Sequence, residues 1–312
     1  MVKVIKQTGE EPLVIHSDVT SPIRAMSMLR RSLLFAELSM IAYNDAYEAS
    51  FAAKAIGLPD LKYFDNDGSQ AYMFRNQYDS VIACRGTEPN EWNDIKADVN
   101  AATAMAETVG RVHRGFKQEV DDLWPMLEVA LKENRIPLWF CGHSLGGAMA
   151  TICSARCVKS YIDSNPEELY TFGSPRVGDK AYITHARLTY YRWVNNNDIV
   201  TRVPPLWMGY SHTGQEVYLD YRGRIRRMTG WQRTKDRMRG LVAGVRIWSF
   251  DYFSDHSVHG YIKHILSAVS LEEGRDLSAE EPSEIIEIPQ TRSADRISKQ
   301  DRQSRSADTM AG

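Results

Sequence analysis

The sequence predicts an α/β fold, with a mostly parallel central sheet covered by helices on both faces. Short apolar runs alternate with amphipathic stretches, the pattern of strand–helix–strand units. The run Ser80-Val81-Ile82-Ala83-Cys84 is apolar almost throughout, as a strand buried on both faces must be. A second run, Pro137-Leu138-Trp139-Phe140-Cys141, ends in a glycine-flanked turn at Gly142 and Gly146 and leads into a small-residue helix.

Taken in order, residues 1–22 are mixed and polar and read as a loosely attached arm. Residues 24–57 read as helical, with Leu34, Leu38 and Ile41 on one stripe and Gly57 and Pro59 as the stop. Asn66-Asp67-Gly68 is a turn between two extended runs, the second including Ala71-Tyr72-Met73-Phe74-Arg75. Residues 115–134 carry Phe116, Val120, Leu123, Leu127 and Leu131 at helical spacing. The helix at 145–161 is followed by strands at 169–175 and 191–200. Residues 23–270 are thus expected to form the folded domain. Residues 271–312, dominated by Ser, Arg, Asp and Glu, read as a disordered polar tail.

Composition narrows the function classes. Of 312 residues, 43% are hydrophobic and 25% charged, which excludes a collagen-like or membrane-embedded chain. The 38 Lys and Arg are balanced by 40 Asp and Glu, so no basic excess argues for a nucleic-acid partner. Neither a secretory signal nor an apolar run of membrane-spanning length is seen, and the expected location is cytoplasmic. The four cysteines form no CxxC pair, and no metal or cofactor is expected.

Gly142-His143-Ser144-Leu145-Gly146 fits G-x-S-x-G between a strand and a helix. Such a turn lifts a serine hydroxyl above the sheet edge, and the helix start offers the Leu145 N–H to a developing oxyanion. The bland alternative is a serine N-cap on a glycine-rich helix start. A serine nucleophile needs a base, and the base an orienting acid. Asp198 leaves a strand end, where acids of open α/β sheets sit. Chain order leaves His212, His256 and His259 open as the base.

These segments together resemble the class 3 lipase family, the fungal-lipase-like branch of the α/β-hydrolases. The resemblance includes Cys84-Arg85-Gly86-Thr87, Val112-His113-Arg114-Gly115-Phe116, the 142–146 turn, Thr171-Phe172-Gly173-Ser174-Pro175, Val194-Asn195-Asn196-Asn197-Asp198 and Asp255-His256-Ser257 followed by Tyr261. It implies an α/β-hydrolase fold and serine-dependent hydrolysis of carboxylic esters, with acylglycerol or other lipid esters as substrate. Phospholipase A1 or short-chain carboxylesterase activity is the alternative, and a non-catalytic lipase-like interaction module is a third reading. The resemblance further implies Ser144 as nucleophile, Asp198 as acid and His256 as base. Leu145 and Thr87 become the oxyanion hole, and residues 88–99 a lid in which Trp92, Ile95 and Val99 share a face.

The stretch 221–246 stands apart, with nine Lys and Arg against Asp236 alone. Basic, amphipathic and aromatic, it fits peripheral contact with an anionic membrane. The acidic run 271–287 is the alternative partner for those charges.

Overall fold

The computed structural model describes residues 2–6, 12–86, 102–107, 109–159, 162–227, 232, 254–275 and 282–288. The first strands are β1 (Val2–Lys6), β2 (Leu13–Ile15), β3 (Asp60–Asn66), β4 (Ser69–Arg75) and β5 (Ser80–Cys84), with helices α1 (Met28–Ile41) and α2 (Ala46–Ile56) between β2 and β3. Strands β6 (Thr103–Met105) and β7 (Arg111–His113) precede α3 (Arg114–Glu133), β8 (Leu138–His143), α4 (Leu145–Lys159) and β9 (Pro166–Phe172). The chain continues through β10 (Gly178–Asp179), α5 (Lys180–His185), β11 (Thr189–Asn195), β12 (Tyr210–Ser211), β13 (Gln215–Leu219) and β14 (Ile225–Arg226). Helix α6 (Val258–Glu273) and β15 (Pro282–Glu287) complete it.

The main sheet has eight strands in the order β14-β13-β11-β9-β8-β5-β4-β3. Its middle five, β13 to β5, are mutually parallel, and the outer pairings are antiparallel. Alternation along each strand divides the core into two. Val81, Ala83, Trp139, Cys141, Phe172 and Trp193 point to the face covered by α1, α2 and α6. Ile82, Cys84, Leu138 and Phe140 point to the face covered by α3 and α4. This is the α/β-hydrolase arrangement, with helices on both faces. The β3–β4 hairpin turns at Asp67 and Gly68, whose φ values of 53° and 90° suit a type I′ turn.

The structure departs from the sequence reading in four places. The helical stretch 24–57 is two helices, because Asp45 caps α2 by accepting from the Glu48 N–H and the chain turns through Ala42–Asn44. The arm at 1–22 is not loose: Ile5, Ile15 and Val19 are buried, and β1 pairs with β2. The tail is not wholly disordered, since α6 runs to Glu273 and β15 pairs in parallel with β1. The polar average of 271–312 hid a short β-branched run, Ile285-Ile286, able to complete a three-stranded sheet. Finally, β12, β10, β7 and β6 form a four-stranded sheet of very short strands, too brief to show any alternation in sequence.

Residues 221–227 are the described part of the basic stretch. Asp220 accepts from the Arg222 and Arg224 N–H groups and pairs with Arg226 at 3.4 Å. Glu273 pairs with Arg30 and Arg275, and Glu272 accepts from Ser27. Among the described residues, these acidic groups face α1 rather than the basic stretch. The remainder of 221–246 that carries Trp231, Met238, Leu241 and Val245 lies outside the described residues. No described helix is long and apolar enough to cross a membrane.

Candidate active site

The turn at Ser144 is built by glycine. A Cβ on Gly142 would run into the Gly146 backbone, and one on Gly146 into the carbonyl of Cys84. Only glycine lets α4 start directly against the ends of β8 and β5. Between them Ser144 adopts φ 59°, a left-handed conformation that costs a non-glycine residue free energy. The Ser144 N–H is held by the Phe172 carbonyl at 3.0 Å, and its own carbonyl accepts from the Gly147 N–H at 3.0 Å. The strained turn is thus fixed from the neighbouring strand and from the helix it opens.

Asp198 follows the end of β11 in a turn closed by its N–H to the Asn195 carbonyl at 2.7 Å. His256 ends the short turn before α6. The Ser144 hydroxyl donates to His256 Nε2 at 2.8 Å, and His256 Nδ1–H lies 3.0 Å from both carboxylate oxygens of Asp198. Asp198 also accepts from the Tyr261 hydroxyl at 2.6 Å and the Val200 N–H at 3.0 Å. Ser144 and Asp198 are fully buried, and His256 nearly so. Removed from water, the carboxylate is held by three donors, as a buried charge requires. Burial and the adjoining carboxylate push the Tyr261 hydroxyl well above the ordinary phenol range, so it stays a donor.

The turns that carry Asp198 and His256 are tied together. Asn195 Nδ2 donates to the Asp255 carbonyl at 3.0 Å, and the Asn197 N–H donates to the Asp255 carboxylate at 3.2 Å. Tyr261 accepts the Asn195 N–H at 3.0 Å while donating to Asp198. Gly173, with φ +64°, lies beneath the pair: a Cβ there would stand 2.7 Å from Asp198 Oδ2 and 2.9 Å from the His256 ring.

The other histidines are held elsewhere. His212 Nε2 donates to the Thr201 carbonyl at 2.7 Å, and burial keeps its ring neutral by moving its pKa well below the usual value. His259 is exposed. His113 caps α3 by accepting from the Phe116 N–H, and burial pushes its pKa down to about 4. Leu145 opens α4 beside Ser144. Thr87, Trp92, Ile95 and Val99 lie outside the described residues. Among the described residues no His, Cys, Asp or Glu group is arranged to hold a metal ion, and all four cysteines are free and buried.

Sequence reasoning missed the supports. Gly173 read as part of a strand end, and the one signal was its place in Phe172-Gly173-Ser174-Pro175. Tyr261 belongs to the resemblance beside Asp255-His256-Ser257, but without a role; it is buried on α6 with Ile265 one turn on.

Residues 81–208 match the lipase (class 3) family model. The chain is 31% identical over 215 residues to toxin TseL of Vibrio cholerae, covering 55% of this chain and 32% of that protein. It is 35% identical over 132 residues to a secreted mono- and diacylglycerol lipase of Fusarium solani, covering 41% of this chain and 32% of that one. The matches therefore span about a third of the length of these relatives. The solved triacylglyceride lipase of Rhizomucor miehei superimposes with a TM-score of 0.52 at 23% identity, over 62% of this chain and 82% of its own.

Proposed function

We propose, from the match of residues 81–208 to the class 3 lipase family model, that the chain hydrolyses carboxylic esters of lipids, acylglycerols foremost, through an acyl-enzyme on Ser144. The observation that carries the proposal is the hydrogen-bonded series Ser144–His256–Asp198. Ser144 Oγ attacks the ester carbonyl as His256 Nε2 takes its proton, and Asp198 fixes the imidazole with Nδ1 protonated and stabilises the imidazolium. The tetrahedral oxyanion is met by the Leu145 N–H at the start of α4 and by the Thr87 N–H. His256 then protonates the leaving alcohol. Water, deprotonated by the same imidazole, attacks the acyl-enzyme and frees Ser144. No step calls for a metal or cofactor. In this proposal Trp92, Ile95 and Val99 form a lid face over the acyl site, and the chain acts in the cytoplasm with 221–246 against an anionic membrane.

The test joins two measurements. A fluorophosphonate probe, which reacts only with an activated serine, is expected to label the wild type and not Ser144→Ala. Hydrolysis of acylglycerol emulsions, phosphatidylcholine vesicles and a nitrophenyl ester chain-length series then assigns the substrate. Labelling without turnover of any lipid ester would refute the lipid reading, and no labelling would refute the hydrolase reading.

A further inference from the structure

His143, the residue before the nucleophile, is a buried imidazole with no role in the chemistry above. Along β8 it shares the parity of Trp139 and Cys141 and so faces α1 and α6 rather than α3 and α4. Its Nε2 lies 2.6 Å from the main-chain carbonyl of His256, and its Nδ1 lies 2.9 Å from the Tyr43 hydroxyl. A carbonyl can only accept, so the proton is on Nε2, and Nδ1 accepts from Tyr43. The two imidazoles are 4.7 Å apart at an interplanar angle of 34°. Tyr43 follows the end of α1, and its hydroxyl with the His143 carbonyl leaves no room for a Cβ at Gly86.

We infer that His143 is a positioning residue, whose Nε2–H anchors the backbone of His256 and whose orientation Tyr43 sets from α1. The inference rests on the hydrolase reading above. Asp198 controls the His256 ring from one end, but the ring turns about a backbone that also needs a fixed point. The described ties to the Asp255–His256 main chain come from two sides: Asn195 holds the Asp255 carbonyl, and His143 holds the next carbonyl along. The second tie comes from the strand that carries Ser144. It therefore fixes the base relative to the nucleophile, where the first fixes it relative to the acid.

The chemistry of the cycle also favours a neutral partner. His256 becomes an imidazolium during each acyl transfer, and a second positive ring 4.7 Å away would oppose it. Burial, with the neighbouring His256, moves the His143 pKa well below the usual histidine value. His143 can thus donate one hydrogen bond without adding a charge. A lysine could not do this, and a phenylalanine could fill the space but not donate.

The experiment compares His143→Phe, His143→Gln and Tyr43→Phe by turnover of a soluble nitrophenyl ester and by fluorophosphonate labelling rate. Removing a buried donor is expected to lower kcat by about 10- to 100-fold with KM changed less than about 2-fold. Glutamine, whose Nε2 donates from a similar reach, is expected to restore most of that loss. Tyr43→Phe is expected to give a smaller loss, again in kcat. Labelling should slow in parallel, because attack by Ser144 is the step affected. If His143→Phe does not fold, His143→Gln against Tyr43→Phe still decides the matter: the Gln variant must be the more active of the two. Equal losses for Phe and Gln, losses confined to KM, or a Phe variant as fast as wild type would overturn the positioning role alone. A wild type that the probe does not label would overturn the hydrolase reading and this inference with it.

Discussion

The two faces of the central sheet are built for different tasks. The face under α3 and α4 is packed largely by aliphatic side chains and cysteines, among them Leu123, Leu127, Met149, Ile152, Cys84 and Cys153, with Phe116 and Phe140 between them. The face under α1 and α6 is threaded with hydrogen bonds. Trp139 donates to the buried Asp79, Trp193 to Ser32, Tyr261 to Asp198, and Tyr43 to His143. The first face carries directional contacts too, such as Thr171 with Tyr190 and Arg156 with Asp121, but those of the second run through the residues around His256 and Asp198. Apolar packing tolerates sliding, whereas a buried polar network has one satisfied arrangement and is costly in any other. His256, the proposed base, enters from the face under α1 and α6, where its orientation is specified by hydrogen bonds. The apolar face supplies α4, the rigid support behind the nucleophile turn.

Four tests would break or sharpen this contrast. The largest effect is expected on the shared line between the faces. Ser144→Ala and His256→Ala should each lower ester turnover by about 10⁴-fold or more, and the double variant should be little worse than either. Additive losses in steady-state kinetics would show that the two do not act as a unit. Next comes the apolar face: Leu127→Ala should cost about 2–5 kcal/mol of stability in urea unfolding while leaving kcat of the remaining folded enzyme near wild type. A fall in kcat larger than the fall in stability would dissolve the distinction between the faces.

Gly173→Ala is the matching test on the polar face. Its Cβ would press on Asp198 and His256 from φ +64°, and a displacement of about 1 Å at reacting groups costs about 10²-fold in kcat. Circular dichroism should remain that of the wild type, and unchanged turnover would refute the geometry. The smallest effect is on pH. His143 and His212 are buried neutral, and burial takes His113 down to about 4. Below about pH 6.5 the unfolded chain takes up protons that these folded rings refuse. Their contribution to stability is therefore complete above that pH and declines as pH falls toward 4. Urea midpoints should drop from pH 7 to pH 5, and His113→Asn, which keeps a capping acceptor without titrating, should flatten the drop.

How much of this could be read from the chain depended on how local the signal was. The strand, turn and helix around Ser144 were legible because six consecutive residues carry the glycines, the serine and the end of the apolar run. Asp198 was legible as a strand-end carboxylate. Spacing left the base open, since His212, His256 and His259 all follow Asp198; in the folded chain His212 bonds to Thr201, His259 is exposed, and His256 bonds to Ser144. The resemblance to class 3 lipases favoured His256 on the Asp255-His256 motif. No role was legible for Gly173, Asn195 or Tyr43, because their work is done on partners far along the chain. The break between α1 and α2 was lost for a different reason: Ala42 and Ala46 continue a helical pattern, and only the cap at Asp45 interrupts it.

The pairing of β1 with β15 has a consequence for how the molecule forms. Val2 lies opposite Pro282 and Lys6 opposite Glu287, so this ladder joins positions almost the whole chain apart, the highest contact order in the structure. Hairpins such as β3–β4 close a loop of two residues and can form early. The β1–β15 ladder has to wait until the intervening chain is compact, because closing so long a loop in an open chain is entropically expensive. During synthesis β1 emerges long before β15, so the edge that β15 will occupy spends that interval unpaired. An unpaired strand edge invites association with other chains, and β1 carries lysines at both Lys3 and Lys6, the kind of charge that makes a waiting edge less adhesive.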